Sequence, residues 1–111
     1  MDKAFKYDVI VCTFNGASFI SSQLGSILSQ AILPQKIIVS DDGSCDETIF
    51  IVRNTFANAN FTAYNIVQGP RKGVIANFLF ALKYSEADFT FLADQDDIWH
   101  LDKIQKMSKI M

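Results

Sequence analysis

The chain has 111 residues, half of them hydrophobic and a fifth charged, with a formal net charge of −2. That length suits one domain with a single core, the composition excludes a disordered chain, and the absence of a basic block excludes nucleic acid as a partner. No apolar run approaches the roughly 20 residues of a membrane span. The amino-terminal stretch MDKAFKYDVIVC is too short and interrupted for a signal peptide. A cytoplasmic chain is therefore expected, with Cys12 and Cys45 as plain thiols.

Tyr7 to Thr13 reads as a short, β-branched, buried strand. From Ser18 to Gln30 the period changes to helical. Ile20, Leu24, Ile27, Leu28 and Ala31 share one face, with serines and glutamines opposite, and Leu33-Pro34 stops the helix. Lys36 to Ser40 is a second buried strand. Asp41-Asp42-Gly43-Ser44 is a turn, and Ser44 with Glu47 forms an S-x-x-E capping box for the next helix, whose apolar face is Ile49, Val52 and Phe56. Thr62 to Val67 is the third strand, and Gly69 to Gly73 a loop. Ile75, Phe78, Leu79 and Leu82 mark a third helix, apolar nearly all round, which calls for cover on more than one side. Asp88 to Ala93 is the fourth strand. Trp99 to Ile110 begins a last helix, with Leu101, Ile104 and Met107 on its face.

Strand and helix thus alternate four times, the pattern of a mostly parallel α/β sheet with helices on both faces. Ligands of such sheets bind outside the carboxyl ends of the strands. Those ends carry Thr13-Phe14-Asn15-Gly16, Asp41-Asp42-Gly43-Ser44, Gln68 to Gly73 and Asp94-Gln95-Asp96-Asp97. Two acidic clusters and one basic loop should therefore surround one crevice. Mg²⁺ and Mn²⁺ take oxygen ligands, commonly one or two carboxylates plus substrate phosphates, and Asp94 to Asp97 supply such a half-site. Arg71 and Lys72 can meet phosphate oxygens. Asp41 or Asp42 can accept hydrogen bonds from a base or a ribose. There is no GxGxxG after the first strand and no GxxxxGK[ST], which disfavours a dinucleotide site and a P-loop. Each tip alone has a plainer reading: Asp41 to Ser44 as turn and cap, Arg71 and Lys72 as solvated loop, Trp99 as packing and His100 as surface. Only the four together argue for a site.

In this order and spacing, Val11-Cys12-Thr13-Phe14-Asn15-Gly16, Leu24 to Gln30 (LGSILSQ), Ile37 to Thr48, Gly73, Asn77 and Ala93 to Trp99 resemble the amino-terminal, nucleotide-sugar-binding half of an inverting family 2 glycosyltransferase of the glycosyltransferase A fold. The resemblance covers about Tyr7 to Met111. It implies a Rossmann-like half-fold, with Thr13 and Phe14 beside base and ribose. Asp41 becomes the partner of a pyrimidine base, with Asp42 nearby, and Asp94 lies near the ribose. Asp94-Gln95-Asp96 matches a DxD motif in which Asp96 reaches a divalent metal, Mn²⁺ or Mg²⁺. Asp97 is a second candidate for that metal or for orienting the sugar. Asn15, Arg71 and Lys72 complete the nucleotide set. The form DQDDIW is similar to that of rhamnosyltransferases and other cell-surface polysaccharide enzymes.

The implied reaction moves a sugar from a UDP- or dTDP-linked donor to a saccharide or lipid-linked hydroxyl acceptor, by an enzyme peripheral to the inner face of the membrane. Two departures qualify this. Many relatives carry A-R-N-x-G in the third helix, where this chain reads Ile75-Ala76-Asn77-Phe78-Leu79, without the arginine that a phosphate contact would use. No residue matches the catalytic base of the acceptor-binding half, so residues 1–111 are expected to be the donor-binding portion of a longer, truncated domain, inactive alone and self-associating through its exposed apolar helix. The alternatives are a nucleotidyltransferase, which should show a Gly-rich loop with a basic residue after the first strand, and a non-catalytic α/β nucleotide-binding domain.

Overall fold

The computed structural model describes residues 5–94 and 97–110. Strands β1 (Tyr7–Thr13), β2 (Lys36–Asp41), β3 (Tyr64–Gln68) and β4 (Phe89–Ala93) alternate with helices α1 (Ile20–Leu28), α2 (Thr48–Asn58), α3 (Val74–Leu82) and α4 (Lys103–Ile110). The sheet is parallel throughout, in the order β3-β2-β1-β4. Its sense of progression reverses between β1 and β4, the switch point at which a crevice opens in such sheets. The register pairs Thr13 with Asp41 and Asp41 with Gln68, and Val11 with Ala93, so the carboxyl ends of all four strands share one edge.

All of β1 is buried, as its central place requires, and its period of 2 sends alternate residues to different layers. Tyr7, Val9 and Val11 join Ile37 and Val39 of β2 under α1 and α2. Ile10 and Cys12 join Ile38 and the α3 residue Ala81 on the other side. The first layer is thick. It includes Ile20, Leu24 and Ile27 of α1, Val52 and Phe56 of α2, Trp99 and Ile104. Among the described residues the second layer has α3 alone. That helix buries Asn77 and Ala81, while Val74, Ile75 and Leu79 are 60%, 77% and 60% exposed. The apolar helix thus stays open on its outer face.

Four local expectations need correction. Ser44 does not cap α2. The Asp46 carboxylate accepts the Thr48 N–H at 3.0 Å instead, and Ser44 turns into the strand tip. The polar side of the segment expected as one helix to Gln30 is not all solvated, because Gln23 of α1 and Gln30, past the helix end at Leu28, are buried. Helix α4 starts at Lys103 and not at Trp99, since the Trp99 N–H is held by the Ser26 hydroxyl at 2.9 Å and its indole packs edge-on against Phe91. Leu101 therefore sits in the preceding turn and is exposed. Strand β3 begins two residues later than expected, at Tyr64, whose ring stacks on Phe56 with centroids 4.2 Å apart. Asp8 is a buried charge that hydropathy did not mark. Its Oδ2 accepts the Glu86 and Ala87 N–H groups and the Ser85 hydroxyl, tying down the turn before β4.

Candidate functional site

The loops after β1 and β2 are knotted together by their own side chains. Asn15, with φ at 50°, donates its N–H to Ser44 Oγ at 2.8 Å and accepts the Cys45 N–H on its Oδ1 at 2.8 Å. Gly16 N–H reaches Thr48 Oγ1 at 2.8 Å, and Ala17 N–H reaches Asp46 at 3.1 Å. Thr48 in turn donates its hydroxyl to Asp46, a bond that holds the Asp46 carboxyl below the usual carboxylate range. The same short motif, D-D-G-S-C-D-E-T, thus fixes two loops at once.

Asp41 and Asp42 are neighbours with different surroundings. Asp41 is buried. Its Oδ1 accepts the hydroxyls of Thr13 at 2.7 Å and Ser44 at 2.6 Å, and its Oδ2 accepts the N–H groups of Gly43 at 3.2 Å and Ser44 at 2.8 Å. A carboxylate offers about four lone-pair positions, so Asp41 has its acceptor capacity filled from within. Asp42 takes the Arg71 N–H on Oδ1 at 2.6 Å, and its Oδ2 takes no hydrogen bond from the described residues.

A cavity of about 300 Å³ opens at the β1/β4 switch point, lined by Cys12, Thr13, Phe14, Asp42, Val74, Asn77 and Asp94. Phe14 is half exposed at its mouth. Burial, then the charges of Asp94 and Asp42, push the Cys12 thiol up to about 12. No Lys, Arg or His lines this space, so its negative field lacks a cation among the described residues. Hard oxygen donors and uncompensated charge suit Mg²⁺ or Mn²⁺ completed by phosphate oxygens. No three His, Cys, Asp or Glu side chains are grouped as a metal cage among the described residues. Gln95 and Asp96, the centre of the expected DxD motif, lie outside the described residues. Asp97 is exposed and donates its N–H to the Asp94 carbonyl at 3.0 Å.

The structure therefore gathers Thr13, Phe14, Asp42 and Asp94, with Asp41 beneath them. It does not bring Arg71, Lys72 or Asn15 to the cavity lining. Arg71 has φ at 59°, and its side chain lies over Gly43 in a neighbouring pocket with Asp41, Ser44 and Arg53. Two positions carry weight that sequence reading assigned to no contact. Asn77 is buried, donates to the Ser40 carbonyl at 2.9 Å and accepts the Ser40 hydroxyl at 2.5 Å. Gly69 leaves room for it, since a Cβ there would stand 2.2 Å from Asn77 Oδ1 and 2.7 Å from Asp42 Oδ1. A lone polar residue on an apolar helix face was the available signal.

The model of the family described as glycosyl transferase family 2 matches residues 8–111. The chain belongs to that family. Among family relatives, a dTDP-rhamnosyl transferase, RfbG of Shigella flexneri, is 35% identical over 100 residues, covering 86% of this chain and 34% of its own. The mannosyltransferase PcManGT of Pyrobaculum calidifontis, solved with GDP-Man and Mn²⁺, superposes with a TM-score of 0.84 at 27% identity, covering 93% of this chain and 31% of that one. S. aureus TarS with UDP-GlcNAc gives 0.76 at 28%, covering 95% and 30%. The fold is thus the glycosyltransferase A type, and the chain spans about a third of the length of the curated family 2 relatives it matches.

Proposed function

We propose that this chain holds the sugar donor of a metal-dependent, inverting glycosyltransferase of cell-surface polysaccharide synthesis. The observation that carries the reading is the acidic cavity at the β1/β4 switch point, with Asp42 and Asp94 on its wall and the Phe14 ring at its mouth. Asp42, with one carboxylate oxygen uncommitted, accepts the ring N–H of a pyrimidine base. Asp41 supports it from below by locking Thr13, Gly43 and Ser44. This exchanges the roles expected of the two aspartates. Phe14 offers an aromatic face to the base. The cavity leads from that base contact to Asp94, the carboxylate beside the ribose.

Asp96 and Asp97, with the diphosphate of the substrate, would hold Mn²⁺ or Mg²⁺. When bound, the metal supplies Lewis-acid stabilisation of the leaving diphosphate. Arg71 and Lys72 are exposed and do not line the cavity; Arg71 lines the neighbouring pocket. The names of the relatives include dTDP-, UDP- and GDP-linked sugars, and a hydroxyl on a saccharide or lipid-linked glycan is the acceptor class we assign. The general base of an inverting transfer must reach that acceptor hydroxyl. Among the described residues no helix is long and apolar enough to cross a membrane; any contact with a lipid-linked acceptor would be made at the surface.

Titration with UDP, dTDP and GDP, with and without Mn²⁺, tests this. Asp42→Asn should weaken UDP or dTDP binding by about 10- to 100-fold, the worth of a charge-assisted hydrogen bond. Unaltered binding in that variant, or metal-independent binding in the parent, would sink the reading.

A further inference from the structure

We infer that Asn77 of α3 is a positioning residue for Asp42: by clamping α3 to β2 it fixes where that carboxylate meets the nucleotide. This rests on the proposed donor site, in which Asp42 accepts a base N–H. Helix α3 reads V-I-A-N-F-L-F-A-L, and Asn77 is its one polar residue. It is buried, as is Ser40 of β2. A buried amide without partners is costly, and here one serine engages both of its ends. Asn77 Nδ2 donates to the Ser40 carbonyl at 2.9 Å, and Oδ1 accepts the Ser40 hydroxyl at 2.5 Å. Around this clamp α3 meets the sheet through apolar side chains, among them Ala81, Ile10 and Ile38. Apolar burial is non-directional, so the two hydrogen bonds supply the directional restraint on where α3 rests along β2.

The clamp sits two residues before Asp42. Strand alternation sends Ile38 and Ser40 to the α3 side. Asp42 follows in the same phase, with its N–H held by the Thr13 carbonyl at 2.9 Å. Asp42, Asn77 and Val74, which stands three residues earlier on α3, line one cavity. Gly69 joins the two polar side chains. A Cβ there would stand 2.2 Å from Asn77 Oδ1 and 2.7 Å from Asp42 Oδ1, so both oxygens lie against the same glycine, whose N–H is tied to the Asp41 carbonyl at 2.8 Å. Asp42 Oδ1 also accepts the Arg71 N–H at 2.6 Å. One carboxylate oxygen is thus confined by Arg71, Gly69 and the clamped helix, which leaves Oδ2 as the oxygen for the base. Releasing Asn77 from Ser40 frees α3 to shift and removes part of that confinement.

The test is a double-mutant cycle, read by calorimetric titration of UDP into the full chain with Mn²⁺, alongside thermal melting. Asn77→Leu keeps the approximate volume and the helix propensity but removes the amide. Residues that act on a site through a neighbour shift its affinity by about 3- to 30-fold, and a loss of that size is expected for UDP. In the Asp42→Asn background the same change should alter affinity by less than about twofold, because its effect passes through the missing carboxylate. A role in packing alone would give equal losses in both backgrounds. Ser40→Ala should act in the same direction by less, and Ser40→Thr, which keeps the hydroxyl on a side chain suited to a strand, should restore parental binding. If Asn77→Leu does not fold, the Ser40 variants in both backgrounds decide. An Asp42→Asn chain that binds UDP as the parent does overturns the donor-site reading, and this inference with it. Where Asp42→Asn does weaken binding, parental affinity in Asn77→Leu and Ser40→Ala overturns this inference alone. Equal losses in the two backgrounds, or a Ser40→Thr chain no tighter than Ser40→Ala, do the same.

Discussion

At the tips of β1 and β2 the chain is tied by side chains that belong to the two loops themselves: Asn15, Asp41, Ser44, Asp46 and Thr48. After β4 the ties come from Gln23 and Ser26 on α1 and Gln30 just past its end, separated from their partners by 71, 73 and 70 residues. One wall of the crevice is thus a clasp of short hydrogen bonds, and the other hangs on a helix and on the burial of Trp99 and Ile104. Hydrogen bonds fix geometry with a modest net gain each, whereas a buried indole contributes several times as much. Stability and base recognition should therefore separate between the two walls.

The sharpest break in that comparison is Trp99→Ala. It should cost about 3–5 kcal/mol in a urea titration, as large-to-small core changes do, and it should weaken metal-assisted binding before base binding. Asp41→Asn comes next. The amide cannot accept four donors, so a loss of about 1.5–3 kcal/mol is expected, while Asp42→Asn should leave the unfolding midpoint nearly unchanged and act on nucleotide binding. Equal destabilisation by the two would contradict the division drawn between these neighbours.

Gly69→Ala forces a Cβ against Asn77 and Asp42. Overpacking of this kind costs about 1–3 kcal/mol, and the shift of Asp42 should reduce UDP affinity as well; unaltered melting and affinity would show that the loop yields freely. The smallest effect concerns pH. The Thr48 hydroxyl lowers the Asp46 carboxyl in the folded state. The clasp therefore has its full contribution above the unfolded carboxylate range and loses it as pH falls through the lowered folded value. Asp46→Asn should flatten that acid limb slightly in melts recorded from neutral to acidic pH.

Much of this architecture was legible in the residues. Alternating β-branched runs and helical stripes determined four parallel strands, because periods of 2 and 3.6 are dictated by backbone geometry alone. The acidic tips pointed to the edge where we propose that a cation and a nucleotide bind, because such sheets bind ligands at their carboxyl edge. Local pattern could not tell Asp41 from Asp42, since the difference lies in which one Thr13 and Ser44 reach across from other positions in the fold. Nor could it show that Gln23 and Gln30 are buried. A glutamine in a helical pattern reads as solvent-facing until a distant segment brings it the carbonyls of Asp94 and His100 and the N–H of Ile104. Composition and periodicity are properties of neighbours along the chain; the satisfaction of a buried polar group is a property of neighbours in space, and only the tertiary structure decides it.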